Sequence, residues 1–344
     1  MTDLRSDDLA SPDFPTRRVA LKAGLAMGLA GLLLPGLTAC TPQGRPGKVT
    51  VAGGETGGFY LEFATLLAES LQRHEVASNA EPLITGGSLE NMERLLNGEA
   101  TFAVALADAA AEQAAAAEQA TATAAGGLVA LGKVYENYVH CIVRKDSDIR
   151  QFGDLAGKTA AIGEAGSGTS LTTHRIIAAS GLGASAANPS AANTITELNL
   201  GLNNGLAALR EGSVDALFWS GGVPTAAITA ANKEVGIRLL DLSALIPATR
   251  TRYGAFYDRV LIPANSYEGA SAVWTVGVAN LLLCRNDLDE RIVKGTVELL
   301  VNHAQELIPK SSLGVQFLSP ETLINTAGVP LHPAAAAAYR TLHG

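Results

Sequence analysis

Glycine and hydroxyl residues concentrate in a few short stretches of this chain, each placed between an apolar, strand-like run and a helix-like one. The fullest stretch is 157–177. Thr159 to Ile162 is short, apolar and β-branched at its ends. Gly163, Gly166, Gly168 and the hydroxyls of Ser167, Thr169 and Ser170 follow, and Leu171, Ile176 and Ile177 then fall at loosely helical spacing up to Gly181. A loop of this kind presents backbone N–H groups at a helix N-terminus. Four donors there lack intrahelical partners and the dipole is positive, so an anion such as a carboxylate is the natural guest, unless the loop is simply a cap. Two catalytic readings fail on spacing. Thr169 stands where a phosphate loop needs its lysine. Ser167 is flanked at two residues by Ala165 and Thr169, not by the glycines of a nucleophile elbow.

Three further stretches repeat the pattern. In 85–98, Ser88 reads as an N-cap, Leu89, Met92, Leu95 and Leu96 form an apolar stripe, and Gly98 ends the helix. In 53–60, two glycine pairs lead to Phe59 and Tyr60. Glu55 breaks the dinucleotide spacing there, and Tyr60 could either cap a ligand or pack in the core. In 214–225, Trp219 enters Ser220, Gly221 and Gly222, with Pro224 expected in the first helical turn. Anion-ready helix starts in separate halves of one chain suggest a ligand held between two lobes.

The elements that must carry these loops alternate. Strands are expected at 49–52, 81–85, 101–107, 128–134, 139–143, 159–162, 214–219, 237–240 and 272–283, the last recrossing between lobes. Helices are expected after Phe59, Ser88, Ala109, Ser170, Asn203, Thr225, Leu288 and Pro333, while 243–272 reads as irregular. This is α/β with largely parallel sheets, and ligands in such sheets bind at strand carboxyl ends, where the glycine loops fall.

The 344 residues carry a formal charge of −8. The four basic and four acidic residues of 1–39 cancel, so the body is acidic and has no basic run, which argues against nucleic acid. Arg17 and Arg18 precede an uncharged, glycine-rich segment from Ala23 to Gly36 that is short for a membrane span. Together they resemble a twin-arginine export signal. Leu37-Thr38-Ala39-Cys40 resembles a lipobox. It makes 1–39 a signal peptide, Cys40 the lipidated residue and 40–47 a tether, with an uncleaved anchor helix as the alternative. Cys141 and Cys284 lie in apolar strand-like runs and are expected to be buried thiols, a disulfide being chemically allowed outside the cytoplasm. The six histidines show no metal-ligand spacing, so neither metal nor cofactor is expected.

Taken in order, Gly57-Gly58-Phe59-Tyr60, Thr85-Gly86-Gly87-Ser88-Leu89-Glu90-Asn91, the run from Asp154 to Thr169, Gly212-Ser213-Val214-Asp215-Ala216 and Gly222-Val223-Pro224-Thr225 resemble the TAXI-type solute receptors of TRAP (tripartite ATP-independent periplasmic) transporters. The resemblance covers nearly all of 49–300. It implies a two-lobed, type II-like periplasmic-binding-protein fold, with 48–139 and 281–344 as lobe I and 140–280 as lobe II. It also implies a non-catalytic receptor that closes over a glutamate- or glutamine-like solute and delivers it to a membrane permease. By position, Tyr60, Ser88 and Asn91 would contact ligand from lobe I, and Ser167, Thr169, Trp219, Ser220 and Gly221 from lobe II. Leu61 stands where the family often has a second tyrosine. Glu55 and Glu164 occupy loop positions that are usually small and neutral; facing the cleft they would favour a ligand with an ammonium group, and otherwise they are solvated loop carboxylates. Arg144 and Arg175 are possible carboxylate clamps, though such arginines are usually solvated. A lipid-anchored sensor of the same fold and an exported α/β enzyme are the alternatives.

Overall fold

The computed structural model describes residues 47–119, 127–183, 193–310 and 319–343. The export signal, Cys40 and nearly all of the tether lie outside them. Among the described residues no helix is long and apolar enough to cross a membrane.

The elements in chain order are β1 (Lys48–Ala52), α1 (Phe59–Arg73), β2 (Asn79–Leu83), α2 (Ser88–Leu96), β3 (Phe102–Leu106), α3 (Ala107–Gln119), β4 (Leu128–Arg144), β5 (Thr159–Ala161), α4 (Gly168–Ser180), β6 (Thr196–Leu198), α5 (Leu202–Glu211), β7 (Ala216–Gly221), α6 (Ala226–Val235), β8 (Ile237–Leu239), α7 (Ile246–Tyr253), β9 (Tyr257–Ile262), β10 (Val273–Arg285), α8 (Glu290–Asn302), α9 (Pro320–Leu323) and α10 (Pro333–His343). They form a two-lobed α/β fold on one mixed sheet of order β2-β1-β3-β10-β4-β7-β5-β6, with β8 on β4 and β9 on β10.

The sheet is parallel only at its flanks, where β1 pairs with β2 and β3, and β5 pairs with β6 and β7. Its centre is antiparallel, against the expectation of a largely parallel sheet. The reason is β4 and β10. The two expected strands at 128–134 and 139–143 are one 17-residue strand, because Tyr135 to Tyr138 stay extended against β10. Along β10, Asn280 to Leu283 pair with β3 on the lobe I flank, while Val273 to Val278 pair with β9. Along β4, Tyr138 to Val143 pair with β7 on the lobe II flank.

Each flank buries helices on both faces. On one face of lobe I, Phe63, Leu67 and Leu71 of α1 pack with Val293 and Val297 of α8 and Tyr339 of α10. On its other face Met92 and Leu95 of α2 pack on Leu281 and Leu283. In lobe II, Ile176 and Ile177 of α4 meet Phe218 and Tyr257, while Leu206 and Leu209 of α5 meet Trp219 and Ile228. A buried Leu, Ile or Phe side chain contributes about 1.5–3 kcal/mol, so these stripes hold the helices that carry the loops.

Several other local expectations are corrected. The stretch 243–272 contains α7 and β9, whose pairing with β10 supplies the order that its polar residues hid. Ser88 is the first residue of α2; Gly87 is its N-cap. Pro224 precedes the Thr225 N-cap of α6. The helix expected over 288–307 is α8 followed by a 3₁₀ turn at Ala304–Leu307. Cys141 and Cys284 are free and buried. Cys284 pairs with Val129, twelve residues from Cys141 along β4, which is far beyond disulfide reach.

Candidate ligand-binding site

The glycine loops of the two flanks face each other across one narrow cleft. Lobe I supplies Gly54, Glu55, Gly58, Phe59 and Tyr60, then Gly86 to Ser88, and Leu106. Lobe II supplies Ser167 to Thr169 and Trp219 to Gly221, and Asn137 comes from β4.

Three helices begin at this cleft. The N-caps of α1 and α2 are Gly58 and Gly87, which have no side chain to cap with. Gly87 sits at φ 116°, a region open to glycine and closed to most residues, and that lets the chain turn straight into α2. In α4, Ser167 is the N-cap and its Oγ accepts from Ser170 N at 3.0 Å. The approach is close: a Cβ on Gly168 would lie 2.3 Å from Ser88 Oγ, and one on Gly87 would lie 3.5 Å from Ser167 Cβ. Three positive helix ends therefore converge on a cleft with no Lys, Arg or His in its described wall.

The hydroxyls are fixed by second contacts. Ser88 Oγ accepts from Leu106 N at 3.1 Å and lies 3.3 Å from Tyr60 Oη. Thr169 Oγ1 accepts from Ser220 N at 3.3 Å. Trp219 donates from Nε1 to Thr225 Oγ1 at 3.2 Å, whose own hydroxyl donates to Gly222 O. Below Trp219, Thr225 N donates to Tyr267 Oη, Tyr267 donates to His140 Nε2 at 2.9 Å, and His140 Nδ1 donates to Tyr138 O at 2.9 Å. Burial holds this imidazole neutral and lowers its pKa to about 4.

Asn137 is a wall residue that the sequence did not single out. It is 1% exposed, and its Nδ2 donates to Ser220 O at 3.1 Å and Ser220 Oγ at 3.3 Å. Only an NH₂ can donate to that carbonyl, so the amide orientation is fixed and Oδ1 is left buried without a partner. Leu106 was likewise missed. Both sit inside continuous apolar runs, where only register against neighbouring strands reveals them.

The expected residues fall into three groups. Tyr60, Ser88, Ser167, Thr169, Trp219, Ser220, Gly221 and Glu55 line the cleft. Asn91 lies beneath it with its side chain spent on the loops: Nδ2 donates to Gly53 O and Val104 O, and Oδ1 accepts from Thr85 Oγ1 at 2.6 Å. Glu164 is half-buried beside the cleft rather than in its wall.

Glu55 reaches across to the other flank, where Oε2 accepts from Leu202 N at 2.9 Å and caps α5. Beside it Asn203 Nδ2 donates to Thr56 O at 3.0 Å. Burial raises the Glu55 pKa, the Leu202 bond opposes this, and Glu164 adds to it.

Neither arginine faces the cleft. Arg144 pairs with Asp146 at the surface. Arg175 is not solvated: it is 8% exposed and engages Asp108, Glu112 and Tyr257.

The fold and cleft together define a two-lobed α/β protein of the periplasmic-binding-protein-like fold. The chain belongs to the NMT1-like family, which matches residues 51–341. Among solved structures it is similar to a protein from Bordetella bronchiseptica RB50, at 14% identity over 86% of this chain and 98% of that one, with a TM-score of 0.52. It is also similar to a Xanthomonas citri protein bound to ATP (13% identity, 86% and 95% covered, TM-score 0.48). A third is the periplasmic aliphatic sulphonate binding protein SsuA from Escherichia coli (16%, 86% and 79%, TM-score 0.42). At 14% identity the likeness to the Bordetella protein is one of fold alone.

Proposed function

We propose that this protein is an extracytoplasmic receptor that captures a small amino acid or carboxylate of the glutamate or glutamine kind by hinge closure and delivers it to a TRAP-type permease. One observation carries the reading: the N-termini of α1, α2 and α4 converge on a cleft whose wall also holds the unpartnered Asn137 Oδ1. The helix ends favour the ligand's carboxylate, and Asn137 Oδ1 offers an acceptor to its ammonium or amide N–H. Tyr60, Ser88, Ser167, Thr169, Ser220 and the Gly221 backbone orient the polar groups, and Trp219 and Phe59 cover the carbon skeleton. Glu55 and Glu164 give the rim its negative charge, which favours a zwitterion over a dianion.

The lobe boundaries proposed from sequence, 139/140 and 280/281, are supported by the change of strand partners along β4 and β10. Closure then bends those two strands, and ligand contacts to both flanks supply the free energy that selects the closed form. Delivery to a TRAP permease and anchoring through a lipid on Cys40 rest on the sequence resemblance and the lipobox.

The test is a thermal-shift screen of residues 41–344, refolded to remove carried-over ligand, against amino acids, dicarboxylates, 2-oxo acids and sugars. Ligand at a thousand times its Kd adds about 4 kcal/mol, a shift of several degrees or more. A shift with glutamate-like compounds without turnover by NMR supports the reading. A shift only with sugars, or consumption of any compound, overturns it. Exchange of Cys40 for Ser should release the protein from membranes.

A further inference from the structure

On lobe I, away from the cleft and independent of its ligand, α1, α8 and the 3₁₀ turn after α8 bring three donors together. His74 is the C-cap of α1, His303 is the C-cap of α8, and Glu306 lies in the turn. His74 Nε2 is 3.0 Å from Glu306 Oε1, His303 Nδ1 is 3.5 Å from the same oxygen, and the three ligand atoms lie within 4.8 Å of one another. We propose that His74 Nε2, His303 Nδ1 and Glu306 Oε1 form a divalent transition-metal site, of the zinc class, with a fourth position open to water.

Four features support this assignment. Zinc bonds of ~2.0–2.1 Å at tetrahedral angles place ligand atoms about 3.3 Å apart, so small side-chain movements complete the set. The carboxylate is already anchored through Oε2, which accepts from Ser70 Oγ at 3.0 Å and from Arg73 Nη1 at 2.5 Å, while His74 Nε2 straddles both oxygens, 3.0 Å from Oε1 and 3.1 Å from Oε2. Ser70 is wholly buried, so this outer contact is built into α1. Both histidines stand at helix C-termini, where the backbone dipole favours a cation. Finally, the two rings are only 3.8 Å apart between centroids, a distance at which two imidazolium ions repel and two neutral ligands do not.

Binding requires neutral imidazoles. In the metal-bound form His74 would carry its proton on Nδ1 and His303 on Nε2, which frees Nε2 and Nδ1 respectively for the ion. Arg73, half-exposed on the far oxygen, offsets the charge of the carboxylate and moderates affinity. Two histidines, one carboxylate and water suit Zn²⁺ over Ca²⁺ or Mg²⁺, which prefer all-oxygen sets. No cleft residue takes part, so the ion would tie the ends of α1 and α8 together rather than act on the ligand. The spacing in sequence hides the site, since His74 and Glu306 are 232 residues apart.

The experiment uses residues 41–344 without a polyhistidine tag, stripped with EDTA and titrated calorimetrically with ZnCl₂, with Co²⁺ absorption as a coordination readout. The expected result is one Zn²⁺ per chain with a micromolar or tighter Kd and a thermal midpoint several degrees higher at saturation. His303→Ala and Glu306→Gln should each weaken binding at least tenfold while circular dichroism shows both folded. Absence of stoichiometric binding, or binding undiminished in both variants, overturns the proposal.

Discussion

Asp108 Oδ2 and Arg175 Nη1 lie 3.1 Å apart at the junction of the two lobes, with side chains 0% and 10% exposed. The same oxygen accepts from Thr172 Oγ1 and Tyr257 Oη, each at 3.0 Å. Burial raises the Asp108 pKa, and the guanidinium and hydroxyls oppose that rise. The charge is thus held by four groups, counting the Ala109 N–H, rather than by solvent.

Removing one partner strands the other. Arg175→Met is expected to cost about 3–5 kcal/mol in denaturant unfolding because Asp108 is left uncompensated. Adding Asp108→Asn should restore a large part of that loss; a purely additive double variant would show that the pair is not coupled.

Gly168 tests closure. A methyl group there would meet Ser88 Oγ at 2.3 Å and Leu106 Cδ1 at 2.8 Å, so the lobes cannot approach as they do. Gly168→Ala should reduce ligand affinity at least tenfold in calorimetry, with a midpoint in the absence of ligand within a few degrees of the parent. Unchanged affinity would mean that the ligand does not need this approach.

Asn137→Leu removes both the bond to Ser220 and the free acceptor. Affinity for an amino acid should fall about tenfold or more, since one hydrogen bond is worth ~0.5–1.5 kcal/mol, or more when the donor is charged. Affinity for the corresponding 2-oxo acid, which has no ammonium group, should fall less. Equal losses would remove Asn137 Oδ1 from ligand recognition.

His140 sets an acid limit. Its pKa is about 4 in the folded chain and 6.5 ordinarily, so the unfolded chain takes up the proton first. Its contribution is fully present above about pH 6.5 and is lost as pH falls toward 4. The thermal midpoint of the parent should therefore fall more steeply over this window than that of His140→Gln. Parallel curves would show that the imidazole is not held neutral.

Local chemistry was legible in the sequence. The helix stop at Gly181 and the glycine loops after β1, β5 and β7 depend on neighbours within a few residues. What was not legible depends on register between distant segments. Asn137 becomes part of the cleft only because Tyr138 pairs with Gly221 and Gly277. Arg175 finds Asp108 from 67 residues away. The spacing in 243–272 gave no period, because β9 is defined by its partner rather than by its own alternation. Ser88 carries the residue type of a cap, but its Oγ accepts from Leu106 N instead, and Gly87 at positive φ takes the cap position.

The long strands β4 and β10 also limit how this molecule could be cut or recombined. β10 is hydrogen-bonded to the lobe I flank, β4 to the lobe II flank, and the two are paired with each other along most of their length. Severing the chain at the changeover would leave both pieces with raw, unpaired sheet edges that invite aggregation. Neither half is therefore a transferable module, and chimeras with relatives should exchange loops, not halves.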